Sequence, residues 1–228
     1  MTEEIVVIGA GGFGRETLDV IEAINAEAED PRWQVVGIAD DRPSELHLAR
    51  LTSAGYLHLG SVSQVLTDRR PGAYVIGIGN PEARSHVATA FEASGWEAAT
   101  LVHPRAVVSR TAELGAGSVI CGGVQLSTNT SLGKHVHLNP NATIGHDSRL
   151  GDYVSVNPAA TVSGEVTIEA RALVGAAAVI LQGLYIGSGA LIGASACVTR
   201  DVDASSTVYG VPARTPRGSS RANEDGEG

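Results

Sequence analysis

Residues 138–156 read Leu138-Asn139-Pro140-Asn141-Ala142-Thr143-Ile144-Gly145-His146-Asp147-Ser148-Arg149-Leu150-Gly151-Asp152-Tyr153-Val154-Ser155-Val156. Aliphatic side chains stand at 138, 144, 150 and 156, every sixth residue. The same beat runs from Val102 through Val108, Leu114, Ile120, Leu126 and Leu132 to this stretch, and on through Val162, Ile168, Val174, Ile180, Ile186 and Ile192 to Val198, seventeen positions without a slip. If about a third of residues were Ile, Leu or Val, chance would give such a run about once in 10⁸. Glycine often follows the aliphatic, and a small residue or valine usually stands two places before it. An α-helix repeats its apolar stripe near 3.6 residues, so this period is not helical. It fits a short strand plus a turn, stacked as an all-β solenoid with the aliphatics inside and neighbouring rungs about 4.8 Å apart. Three hexads close one triangular coil, and the run makes about five and a half coils, roughly 26 Å tall at that spacing. A β-sandwich is the alternative, but its strands do not keep a six-residue beat.

The first hundred residues follow another pattern. Ile5-Val6-Val7-Ile8 reads as a buried strand that enters Gly9-Ala10-Gly11-Gly12-Phe13-Gly14, a G-x-G-x-x-G, before a helix from about Arg15 to Ala28. Glycines let the backbone approach a phosphate, and a helix N-terminus offers free N–H groups. Trp33–Ile38 reads as a second strand ending at Asp40-Asp41, Tyr74–Ile78 as a third followed by Gly79-Asn80, and about Glu82–Ser94 as a helix. The organisation expected is an α/β, half-Rossmann-like nucleotide-binding domain over residues 1–98, a β-helix over 99–212 and a disordered tail over 213–228. So short an α/β unit suits one nucleotide better than NAD. Ligand contacts are expected at Gly9, Gly11, Gly12, Phe13, Gly14, Asp40, Asp41 and Asn80; a tight turn without ligand and solvated carboxylates are the plain alternatives.

Bulk properties narrow the field. Apolar residues make up 43% but aromatics only 4%, so the core is built from small and β-branched side chains. A net charge of −9 argues against nucleic acid and anionic membranes as partners. The acidic start, Met1-Thr2-Glu3-Glu4, is unlike a secretory leader, and no apolar run reaches membrane-spanning length. Cys121 and Cys197 lie far apart and form no metal or redox motif, so a reduced, cytoplasmic protein without metal is expected.

The hexad pattern resembles the left-handed parallel β-helix of the hexapeptide acyltransferases, and the left hand rests on that resemblance. Both halves together resemble the sialic-acid O-acetyltransferase (NeuD) type of bacterial acetyltransferase, which includes UDP-4-amino-sugar N-acetyltransferases. The resemblance covers about residues 4–214. It is carried by Gly9–Gly14, Asp40-Asp41, Ile78-Gly79-Asn80, Val102-His103-Pro104, Ile144-Gly145-His146-Asp147 and Gly210-Val211-Pro212-Ala213-Arg214. It implies acetyl-CoA as co-substrate, a sugar-nucleotide acceptor and a homotrimer with active sites between subunits.

Acyl transfer needs a base for the acceptor and a donor for the oxyanion. His146 matches the family's general base and Asp147 its neighbouring carboxylate. That carboxylate could fix the imidazole tautomer; since adjacent residues of an extended chain point to opposite sides, Asp147 is expected to act indirectly. Gly164 lies eighteen residues on, which puts it one rung from His146 on the same corner, and it matches the family glycine whose amide contacts the thioester carbonyl. Gly175, Ala176, Gly193 and Arg214 are carried over as CoA contacts. Asn139 matches a family asparagine that meets the acceptor, although with Asn157 it could equally form an inward asparagine ladder. Where many relatives place a second histidine, this chain has Ser155, read here as an acceptor contact. His103, His135 and His137 are read as idle. The function expected is N-acetylation of a nucleotide-linked amino sugar. The alternatives are O-acetylation of a sugar or natural-product hydroxyl, a non-catalytic sugar-nucleotide scaffold and, remotely, a zinc-dependent carbonic anhydrase.

Overall fold

The structure is a computed structural model that describes residues 2–216. Strand β1 (Glu3–Ile8) leads into helix α1 (Gly12–Glu27), then β2 (Trp33–Ala39), α2 (Glu45–Ser53), α3 (Val62–Asp68), β3 (Ala73–Ile76), α4 (Pro81–Ala93) and β4 (Glu97–Ala98). The four strands form one parallel sheet in the order β2-β1-β3-β4. The chain reverses its direction of winding between β1 and β3, so the crevice beyond their C-terminal ends is the topological switch point where open α/β sheets hold ligands. Helix α1 starts three residues earlier than expected, at Gly12, because two glycines of the loop lie inside its first turn. Strand β3 stops at Ile76, which releases Gly77–Asn80 as the second wall of the crevice. Helices α2 and α3 were not foreseen; their sequences are short and only Leu51 and Val65 are buried.

From Leu101 onward the chain winds into eighteen two-residue strands, ending at Thr207–Val208. They stack in three parallel sheets of seven, six and five strands. Each strand but the last pairs with the residues eighteen positions away, as His137 with Ser155 and Thr143 with Thr161. All seventeen aliphatics of the beat end a strand, and most are fully buried. The regular beat ends after Val198, and the last strand arrives out of step, with Val208 over Ile192. The residues two places before each aliphatic, such as Ala142, Val154 and Ala160, also point inward. Glycine follows the aliphatic because turn backbones nest: a Cβ at Gly145 would stand 2.5 Å from the Gly164 nitrogen and one at Gly175 2.6 Å from that of Ala194.

Three faces result. Face I presents Leu101, Val119, His137, Ser155, Leu173, Leu191 and Thr207 outward; face II presents Val107, Gln125, Thr143, Thr161, Val179 and Cys197; face III presents Glu113, Ser131, Arg149, Thr167 and Tyr185. The α/β unit sits on face I. Leu101, Val119 and Cys121 share a core with Leu18, Val20 and Ile21 of α1. Burial there pushes the Cys121 thiol up to about 12. Arg84 of α4 fastens the joint while fully buried. Its guanidinium donates to the carbonyls of Ile78 (2.7 Å), His135 (3.0 Å) and Tyr153 (2.7 Å) and to Ser155 Oγ (2.9 Å). At the far end, Ala213 and Arg214, placed by the sequence in the tail, are instead tied to Cys197 and Tyr209. The expected tail from residue 217 lies outside the described residues.

Candidate active site

The corner between faces II and III is built from four-residue turns, and one of them is Gly145-His146-Asp147-Ser148. Its backbone is held on both sides: Gly145 N–H donates to Val162 O (2.8 Å), Asp147 N–H to Thr128 O (3.0 Å), and His146 O accepts from Glu165 N–H (2.8 Å). The third turn residue is left-handed, with φ 58° at Asp147. This corrects the expectation that Asp147 points away from His146. A left-handed residue breaks the extended alternation and swings the carboxylate back beside the imidazole, where Asp147 Oδ2 meets His146 Nδ1 at 2.8 Å. An ionised carboxylate only accepts, so Nδ1 carries the proton and Nε2 keeps its lone pair. Hydrogen bonds from His146 and then Asn129 hold the Asp147 carboxyl below the usual carboxylate range. Both side chains remain about half exposed, at 50% and 48%.

One coil further on, Gly164 lies under the ring: a Cβ there would stand 2.5 Å from His146 Nε2. Its amide N–H finds no acceptor among the described residues. A lone pair and a free N–H donor therefore sit side by side at a solvent-facing edge, the pairing that acyl transfer uses.

The other expected contacts fall elsewhere. Gly175, Ala176 and Gly193 lie on the corner between faces I and II, not beside His146. Arg214 is exposed and its guanidinium donates to Ala213 O (2.7 Å). Asn139 is 8% exposed and donates to Val156 O (3.1 Å), with Asn157 Oδ1 at 3.5 Å. That arrangement has the geometry of the inward ladder. Ser155 is 1% exposed and engaged with Arg84 and Gly79 O. The position faces the α/β unit rather than the His146 corner. Among the described residues no group of His, Cys, Asp or Glu side chains could hold a metal ion.

At the switch crevice, Gly9 and Gly14 are packing glycines, since a Cβ at Gly9 would meet Gly77 O at 2.9 Å and one at Gly14 would meet Gly9 O. Gly11 and Gly12 face open space at the uncapped start of α1. Phe13 turns down onto face I and stacks on His137, ring centroids 4.3 Å apart. Asp40 shapes the loop: Oδ2 accepts from Ala10 N–H (2.8 Å) and Oδ1 from Arg42 N–H (2.9 Å). Asp41 accepts from Val62 N–H (2.8 Å) and Asn80 caps α4 through Ala83 N–H (2.9 Å).

Residues 4–91 match the PglD N-terminal domain family. The chain is 34% identical over 141 residues to GDP-perosamine N-acetyltransferase of Escherichia coli O157:H7, an alignment spanning 62% of this chain and 61% of that relative's length. WeeI from Acinetobacter baumannii AYE superposes with a TM-score of 0.80 at 30% identity, over 94% of this chain and all of that one. The chain belongs to the NeuD/PglD-type family of hexapeptide-repeat acetyltransferases. The fold is also shared with an H-to-N mutant of perosamine N-acetyltransferase from Caulobacter crescentus, solved in complex with CoA and GDP-perosamine. There the TM-score is 0.79 at 27% identity, over 93% of this chain and 96% of that one.

In this NeuD/PglD-type chain the sequence reading missed Arg84, which organises the joint, and Asn129, which organises the His146 corner. Arg84 has no motif around it, but a lone arginine on the apolar side of a short helix was a usable signal. Asn129 precedes Asp147 by one full coil, and the eighteen-residue ruler that paired 146 with 164 also pairs 129 with 147.

Proposed function

We propose that this chain transfers the acetyl group of acetyl-CoA to the amino group of a nucleotide-linked amino sugar. The observation that carries this reading is the His146 imidazole, oriented by Asp147 and lying over the unpaired amide of Gly164. His146 Nε2 takes the proton from the acceptor amine as the amine attacks the thioester carbonyl, the Gly164 N–H stabilises the oxyanion, and collapse of the intermediate breaks the C–S bond, the CoA thiolate leaving with the proton returned from His146. The switch crevice of the α/β unit supports a nucleotide acceptor, with the open backbone of Gly11 and Gly12 near its phosphates. The relatives named for GDP-perosamine support an amino group as nucleophile over a hydroxyl.

The active unit in this reading is a homotrimer. Its support is internal geometry: the α/β unit rides on face I, whereas His146 occupies the edge opposite that face. An acceptor held at the crevice of one chain therefore needs the His146 corner of another. The separation of Gly175, Ala176 and Gly193 from His146 within one chain fits the same arrangement, with CoA lying between corners of two copies. We place the reaction in the cytoplasm; both cysteines are free, which suits a reducing compartment, and among the described residues no helix is long and apolar enough to cross a membrane.

The test is thiol release from acetyl-CoA with GDP-, UDP- and dTDP-linked 4-amino sugars, alongside light scattering for mass. Turnover on one of these acceptors by a trimer is the expected result. Silence on every amino sugar, with turnover on a free hydroxyl acceptor, would replace N- by O-acetylation, and full activity as a monomer would end the shared-site reading.

A further inference from the structure

The His146 corner carries a polar ladder that runs back from the histidine toward the N-terminus. Thr111, Asn129 and Asp147 occupy equivalent turn positions in three successive coils. Asn129 is anchored from the preceding coil, its N–H donating to Thr111 Oγ1 (2.9 Å), and that hydroxyl also meets Thr128 Oγ1 (2.9 Å). Toward the next coil, Asn129 Nδ2 donates to Asp147 Oδ1 at 3.1 Å. The carboxylate of Asp147 is thus shared, Oδ1 with Asn129 and Oδ2 with His146. One hydrogen bond leaves an exposed carboxylate free to swing; two fix its plane. The donor must be an amide of this length, because an aspartate would repel Asp147 and a serine would not reach it. The other charged groups along the corner are Glu165 one coil later, which accepts from Gln182 (3.4 Å), Arg200 and Asp201 three coils later, Arg149 on the adjoining strand and Arg110 two coils earlier.

The tautomer gives this arrangement its purpose. A histidine in water favours the proton on Nε2, which would leave no lone pair toward Gly164. A fixed carboxylate at Nδ1 reverses that preference. We propose that Asn129 is a positioning residue of the transfer reaction, holding Asp147 in the one orientation that keeps the proton of His146 on Nδ1. The inference rests on His146 being the base.

Three variants of the full chain test it: Asn129→Ala, Asn129→Asp and His146→Ala. Nitrogen-15 NMR of labelled histidine reads the tautomer directly, with His146→Ala identifying the resonance. In the parent the Nδ1–H form is expected; in Asn129→Ala the Nε2–H form grows in. Turnover should fall about tenfold in Asn129→Ala, with the KM for acetyl-CoA within about twofold and the melting temperature retained. Asn129→Asp should lose at least as much, and the acid limb of its pH–rate profile should move to higher pH because a second carboxylate stands near the imidazole. An unchanged tautomer in Asn129→Ala, whether turnover holds or falls with a lowered melting temperature, would overturn the proposal. Activity surviving in His146→Ala would instead remove the base assignment, while the tautomer measurement still judges Asn129.

Discussion

Two histidine neighbourhoods lie within a dozen residues of each other and behave as opposites. His135 and His137 are fully buried beneath the α/β unit. Burial depresses His135 to about 4 and His137 well below its ordinary value, with the Arg84 charge adding to both effects. His137 stacks on Phe13 and His135 on Tyr153, ring centroids 5.5 Å apart. Both are neutral aromatic plates in a domain joint. His146 stands half exposed at the far edge with a carboxylate on one nitrogen and an open glycine under the other. The same residue type is fixed as structure where a second layer covers the solenoid, and left available for proton transfer where nothing does.

The sharpest way to break this contrast is His146→Ala, expected to lower turnover by about 10³-fold while leaving the melting temperature unchanged; thiol release and a thermal melt check both halves. Next comes the buried side. Arg84→Met strips the carbonyls of Ile78, His135 and Tyr153 of a charged donor and should cost about 3 kcal/mol, read from urea unfolding. Gly164→Ala should lower turnover about 10²-fold, because the new methyl displaces the ring of His146, with little loss of stability since the clash is with the tip of an exposed side chain. Gly145→Ala is its control, for there the methyl meets backbone and unfolding is what should change.

A further effect is the pH dependence of stability. His135 has an ordinary value of 6.5 and a folded value of about 4, so between those values the unfolded chain binds the extra proton. Stability is therefore complete above pH 6.5 and falls as pH falls, by about 1.4 kcal/mol per pH unit for each such histidine. Urea midpoints between pH 7 and 4 measure the slope, and His135→Gln should reduce it. A slope unchanged by that substitution would move the acid sensitivity away from the joint.

The solenoid was legible because its physics is periodic. An inward position recurs every sixth residue, so Val102 to Val198 announces strand, turn and coil together, and the coil length then locates Gly164 under His146. The joint was not legible, because nothing periodic marks which face a second layer will cover. Ser155 was read as a ligand contact from the resemblance alone, and its place in the joint was not legible: nine residues is half a coil and carries it away from the His146 corner. Asn139 was ambiguous for a related reason: spacing gives the corner, but not whether a side chain bends inward. Only the direction of the Asp147 side chain was not legible, because a strand's alternation does not hold in a left-handed turn. In the α/β unit, β-branched runs gave the strands, while α2 and α3 bury too little to impose a pattern.

The nesting of turn backbones at Gly145 and Gly175 has an evolutionary consequence. Length can change in this solenoid only by whole circuits. Eighteen residues added after Gly183 would lengthen the tower and leave His146 over Gly164, whereas eighteen added between Ser148 and Ser163 would put a stranger beneath the imidazole. A chain of this kind can be extended by duplication at its C-terminal end without disturbing its chemistry, and its tolerance of such additions should stop abruptly at the circuit that holds the base.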